Sequence, residues 1–233
     1  MLWNSTENEY DPDVIKDQIS AMKDCIEIVN CRFLEKNDID QIGLKIFVVM
    51  KGSEERKKEN ENFRGDDLEE EELDHLKESD LDEDSLYVSL GDLMGVLFKT
   101  HKELTLGIVD SLYNNVLSNA LGSNQSDEMH KFGIFVIDDM IEYLGIELIP
   151  DKWPHLCEAL LRFACHKSCN VRQAAAYGIG VLSEKSHTVF NEMAPKCITK
   201  LFEALKIPQG TEKPKVYGHC KDNIVSAMGK IIR

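Results

Sequence analysis

No stretch of this 233-residue sequence approaches the 18 or more consecutive apolar residues of a membrane-spanning helix. No membrane association is therefore expected. Met1-Leu2-Trp3-Asn4 lacks the basic start and apolar core of a secretory signal. The seven cysteines (25, 31, 157, 165, 169, 197 and 220) are odd in number and lack the spacing of a disulfide framework. Most sit among apolar neighbours, which suits reduced core thiols of a cytosolic or nuclear protein. Without a secretory signal, the sequons at Asn4 and Asn124 read as chance matches. There is no Gly-rich phosphate loop. Gly178-Ile179-Gly180 lies inside a helical pattern with no strand before it, so it serves packing. Nothing reads as a strand. The seven histidines are scattered, with no Ser or Cys nucleophile on a strand-turn-helix element, and no catalytic activity is expected.

Charge is abundant and unevenly placed. The formal net charge is −15. Residues 51–84 hold 16 acidic and 6 basic side chains, or −10, whereas residues 147–233 hold 8 acidic and 13 basic, or +5. An acidic chain disfavours nucleic-acid phosphates and anionic membranes and favours basic protein partners.

The strongest pattern is helical. Val171, Ala174, Ala175, Gly178, Ile179 and Leu182 recur at i, i+3, i+4, i+7, i+8 and i+11, one apolar stripe made mostly of small residues. Small side chains let neighbouring helices come close, and that packing must offset the roughly 1 kcal/mol that each glycine costs in a helix. Arg172, in the first turn where the dipole disfavours a cation, needs an acceptor nearby. Leu86–His101, Met129–Leu144 and Cys220–Ile232 have the same build. Aligning the stripes puts Gly95, Asp138, Gly180 and Gly229 in register, at spacings of 43, 42 and 49 residues. A period of about 40–47 residues built from helix pairs is that of HEAT-type arrays. The expected fold is all-α, a right-handed superhelical solenoid of about four and a half antiparallel helix pairs, with residues 1–233 forming one segment. Further helices are expected over Asp13–Val29, Asp38 to about Lys58, Leu104–Leu121, Pro150–His166, Asn191–Leu205 and Val216–Arg233. Pro12 suits a first helical turn, and Pro154 is tolerated near a helix start. Gly65-Asp66-Asp67 is expected to interrupt, Leu68–Ser79 to form a polar helix, and Ser79–Asp84 to be loop and N-cap. Residues 59–84 then read as an acidic, mobile insertion. The sequence opens on an unpaired second helix and closes inside a helix, as a piece of a longer array would.

Val171-Arg172-Gln173-Ala174-Ala175-Ala176-Tyr177-Gly178-Ile179-Gly180 resembles the second helix of a HEAT repeat in the importin-beta superfamily, with Val171, Arg172, Ala175 and Gly178 as the repeat motif. Phe135–Glu142, Asn223–Ile231, Asp13–Ile28 and the acidic stretch before Tyr87 agree in order and spacing with the importin-5 (karyopherin beta-3) group. The resemblance covers residues 13–233 and points to the C-terminal third of such a receptor. Two positions depart from the pattern. The Asp usual six residues before the Arg is His166, leaving Ser168 or Asn170 as substitute acceptors, and the usual mid-helix Pro is Glu158, though Pro195 fits. The resemblance implies a monomeric nuclear import receptor that shuttles between cytoplasm and nucleus through the nuclear pore. It implies protein cargo with basic signals on the concave surface of second helices. It also implies release by the GTPase Ran, held mainly by repeats outside this sequence, and contact with Phe-Gly nucleoporins. A HEAT scaffold without a transport role is the alternative.

Asp92, Asp138, Asp139 and Glu142 fall on second helices and are the candidate cargo-binding residues, since carboxylates form charge-assisted hydrogen bonds with Lys and Arg. Cys165-His166-x-x-Cys169 has the residue types of a metal site. Zinc needs four ligands, however, and only the remote Cys197 or His155 could complete the set. No metal and no other cofactor is expected.

Overall fold

The computed structural model describes residues 9–29, 33–64, 69–186 and 190–233. Cys31, the Asn4 sequon and the Gly65-Asp66-Asp67 interruption lie outside these. Among the described residues every regular element is helical and there is no strand. The chain gathers into two compact units, Met1–Val116 and Leu117–Arg233.

In the first unit, α1 is Pro12–Val29, α2 is Lys36–Phe63 and α3 is Glu70–Thr100. Helix α1 starts at proline, whose missing amide proton costs nothing there. Helices α2 and α3 each begin with a capping box, in which the Glu35 amide donates to Asp38 and the Glu69 amide to Glu72. Ile15, Ile19 and Ile26 of α1 are buried, as are Ile39, Ile42 and Ile46 of α2 and Leu86, Leu90, Leu93 and Leu97 of α3. Ser20 meets Ser89, and Glu27 pairs with Lys99. Both partners advance together along the chain, so α1 and α3 run parallel, as second helices of successive repeats do. Helix α2 runs antiparallel to α3.

The α2/α3 pair differs from the sequence-based expectation. Ser79–Asp84 is not a loop; it lies inside the 31-residue α3. The cause is a series of polar partners on α2. The Ser53 hydroxyl donates to the Tyr87 hydroxyl at 3.0 Å, Arg56 grips Glu83, Lys57 meets Asp84 at 2.6 Å, Asn60 donates to Ser79 at 3.0 Å, and Arg64 pairs with Asp80. Glu83 is fully buried, and burial pushes the Tyr87 phenol up to about 12. Side chains that read locally as an N-cap are thus claimed by a neighbouring helix. Helix α2 runs on past Lys58 to Phe63 through the charged residues Glu54–Glu59, which are strong helix formers.

The expected single helix over Leu104–Leu121 is broken. Lys102–Thr105 is α-helical, Leu106–Ile108 forms a 3₁₀ turn, Val109–Ser111 is α-helical, Leu112–Leu117 is a π-helix and Ser118–Ala120 ends the run. The Thr105 hydroxyl donates back to the Lys102 carbonyl at 2.9 Å, and Gly107 follows within two residues. Back-bonding hydroxyls and glycine both loosen a regular helix.

In the second unit, α4 is Asp127–Asp139, α5 is Trp153–Phe163, α6 is Cys169–Lys185, α7 is Ala194–Lys206 and α8 is Pro214–Ile232. The Ser126 hydroxyl caps α4 by accepting from the Met129 amide at 3.1 Å. The helix then widens into π turns over Met140–Leu144 and stops at Gly145, whose φ of +81° suits glycine. Prolines open α5, α7 and α8 within their first two positions. Helix α6 is the centre. Its stripe of Val171, Ala175, Ile179 and Leu182 is buried, and it packs on α4, α5 and α8. Ala227 lies beside Gly180, and Lys230 pairs with Glu184 at 2.8 Å, so α6 and α8 run parallel. A Cβ on Gly180 would sit only 3.1 Å from Lys230 Cδ, which is the close approach the small stripe allows.

Candidate functional site

Arg172 anchors the start of α6. It is 1% exposed. Its Nη1 donates to the carbonyls of His166 at 2.6 Å and Lys167 at 2.8 Å, and Nη2 donates to Cys169 Sγ at 2.9 Å. These acceptors form the turn between α5 and α6, so the guanidinium cements a helix pair and does not face a ligand. The substitute for the missing Asp is the backbone of residues 166 and 167. The side chains of Ser168 and Asn170, named as substitutes from the sequence, are not the acceptors.

The acidic candidates separate once placed. Asp138 is buried at 3% exposure. Neither carboxylate oxygen has a hydrogen-bond partner. The carboxyl fills the space that the missing side chain of Gly178 leaves, where a Cβ would collide with it and stand 2.9 Å from Leu160 Cδ2. The expectation that Asp138 could present a charge on the surface is therefore corrected. Burial first, and then the charges of Asp139 and Glu142, hold its pKa well above the usual carboxylate range. Register alignment had set Asp138 level with three glycines, and that small, inward position is where it sits. Asp139 and Glu142 are half-buried near Tyr177, whose phenol is pushed up by burial and then by Glu142, Asp138 and Asp139. Asp92 is exposed on α3 of the first unit.

Beside Asp139 and Glu142 runs an open groove of about 500 Å³, lined by Lys131, Phe135, Asn170, Gln173, Ala174, Tyr177 and Asn223. Phe135 is 40% and Tyr177 46% exposed, large rings offered to solvent by α4 and α6. Lys230 stands 5.8 Å from the Tyr177 ring centre. Aromatic faces flanked by carboxylates suit aliphatic or cationic side chains, while amides of Asn and Gln can both donate to and accept from an extended backbone. The sequence reading missed these groups because it followed the apolar stripe. The signal was on the opposite face of the same helix, where Asn170, Gln173 and Tyr177 recur at i, i+3 and i+7.

The cysteines named as possible ligands diverge. Cys165 Sγ faces the Lys200 carbonyl at 3.6 Å, and Cys169 is taken by Arg172.

Residues 14–121 match the family model described as importin repeat 6. The chain aligns over 99% of its length with three solved structures of one karyopherin. For Kap121p bound to Ste12p, the TM-score is 0.76 at 15% identity. For Kap121p bound to the SUMO protease Ulp1p, the values are 0.70 and 16%. For Kap121p bound to the extreme C-terminus of the protein phosphatase Cdc14p, they are 0.64 and 16%. In each case the chain spans 20% of the length of the protein it matches.

Proposed function

We propose that this chain belongs to the importin-beta superfamily, that it is part of a nuclear import receptor, and that it holds protein cargo on the face of α4, α6 and α8. The observation that carries this is the groove beside Tyr177. It offers exposed rings of Phe135 and Tyr177 and amides of Asn170, Gln173 and Asn223, with the carboxylates of Asp139 and Glu142 close enough to act on the Tyr177 phenol. An extended, basic segment meets each of these needs at once. Asp92 offers the same chemistry in the first unit, and Asp138 leaves the set. The solved complexes of Kap121p with Ste12p, Ulp1p and the extreme C-terminus of Cdc14p lend support from proteins of the same fold. The wider reading includes release by Ran in its GTP form through repeats outside this chain, passage by contact with Phe-Gly nucleoporins, and residence in both cytoplasm and nucleus.

Titration of a Lys/Arg-rich peptide at two salt concentrations tests the reading. Exposed charges are screened over about 8 Å at physiological salt, so affinity should fall as salt rises. Asp139→Lys with Glu142→Lys should weaken binding further, and Tyr177→Ala should weaken it at both salts. Binding indifferent to salt and to these changes would assign cargo contact to other repeats. Pull-down of the full-length protein with GTP-loaded Ran separates a transport receptor from a HEAT scaffold.

A further inference from the structure

Asp127, His130 and His166 each bring one ligand atom to within 4.8 Å of the others. Two come from the first turn of α4, where Asp127 and His130 are three residues apart and share a face. The third comes from the turn between α5 and α6. Nothing in the fold or in cargo binding requires this convergence.

The decisive detail is His130. It is 4% exposed. Its Nε2 lies 2.8 Å from the Gly122 carbonyl, which can only accept, so Nε2 carries the proton. Nδ1 is then a bare lone pair, and it is buried without a hydrogen-bond partner. A buried acceptor left unpaired is costly. A histidine whose outer N–H is fixed by a backbone carbonyl, with its other nitrogen bare, is the state a metal-ligating imidazole adopts. The rings also form a packed wall: His130 lies 4.6 Å from Phe163 and 5.2 Å from His166, centre to centre.

We propose that Asp127, His130 and His166 form a binding site for a divalent transition cation of the zinc type. Two imidazoles and one carboxylate suit such ions better than magnesium or calcium, which prefer oxygen ligands. Ligand bonds of about 2.0–2.2 Å in tetrahedral array require donor atoms about 3.4 Å apart. The three donor atoms, within 4.8 Å of one another, have to close to that spacing on the cation, and a water takes the fourth position. The Ser168 amide donates to His166 Nδ1 at 3.3 Å, a long contact that coordination gives up. The cation ties the start of α4 to the turn that Arg172 already braces. Neither cysteine of the Cys165-His166-x-x-Cys169 run takes part, so the sequence pattern contributed one ligand of its three.

Titration of the 233-residue chain with Co²⁺, read by visible absorbance, tests this, with Zn²⁺ as competitor. A 1:1 spectrum of nitrogen and oxygen ligation, abolished by Zn²⁺ and accompanied by a rise in melting temperature, is expected. Asp127→Asn and His166→Ala should each weaken binding at least tenfold, in line with the 10–100-fold cost of losing even an outer-shell partner. Cys165→Ser should leave the spectrum and the affinity unchanged. If His130→Ala fails to fold, paramagnetic broadening of the His130 and His166 ring signals in the unaltered chain supplies the same readout. No stoichiometric binding, a thiolate charge-transfer band, or affinity unchanged in Asp127→Asn and His166→Ala would overturn the proposal.

Discussion

Asp138→Asn should gain stability relative to the unaltered protein as pH rises, although it replaces an ionisable group of an acidic chain by an amide. The carboxyl is buried beside Gly178 and Leu160, and neither oxygen has a hydrogen-bond partner. In the unfolded chain an Asp titrates near about 3.9. In the folded chain its pKa is raised well above that, by burial first and then by Asp139 and Glu142. Between those two values the native state keeps a proton that the unfolded state has released. Stability is then highest below the unfolded pKa and falls as pH rises toward the folded one. The slope from this one group is about 1.4 kcal/mol per pH unit. Asparagine has nearly the same shape and cannot ionise, so the variant lacks this slope. Its unpartnered amide adds only a pH-independent offset. Urea unfolding of both proteins between pH 4 and 6 reads the difference. With an m-value of about 1–3 kcal/mol/M, the gap between midpoints should widen in favour of the variant by about 0.5–1.4 M per pH unit. A gap that stays flat across that range would refute the reasoning, because it would mean that Asp138 is already ionised in the native state.

Arg172→Ala should cost about 2–4 kcal/mol, from losing charge-assisted bonds to two carbonyls and stranding them, with melting temperature as the measure. Gly178→Ala should cost about 1–3 kcal/mol, because the new methyl meets Asp138 and Leu160, and pairing it with Asp138→Ala should recover part of the loss. Glu83→Ala should cost about 3–5 kcal/mol, since it leaves Arg56 facing a buried site without its partner. Amide exchange should show protection over residues 79–84, in contrast to the loop expected there from sequence.

Periodicity revealed the helices whose packing is apolar. The stripe through Val171, Ala175 and Leu182 needs no outside information to be read as a sandwiched helix, and Arg172 in its first turn announced a nearby acceptor that the structure supplies. Three features were hidden for three physical reasons. Ser79–Asp84 carries strong local cap chemistry, and only the fold brings Arg56, Lys57, Asn60 and Arg64 opposite it. Asp138 was judged by its charge, whereas its burial follows from a glycine 40 residues later on another helix. The groove residues Phe135, Tyr177 and Asn223 come from three helices, and no spacing along one of them declares that they meet.

The polar pairing of α2 with α3 sets a rule on how this part of the chain can change length. Partners at 53 and 87, 56 and 83, 60 and 79 count outward from the body like matched teeth on two racks. One residue inserted into either helix turns every tooth beyond it by about 100° and sends it off the seam. A viable change must therefore cut both racks by the same length, in steps near a whole turn, and must leave Arg56 with Glu83 intact at the root. Relatives with longer or shorter arms should differ here in helical turns taken from both sides, a form of inheritance that a free loop would not impose.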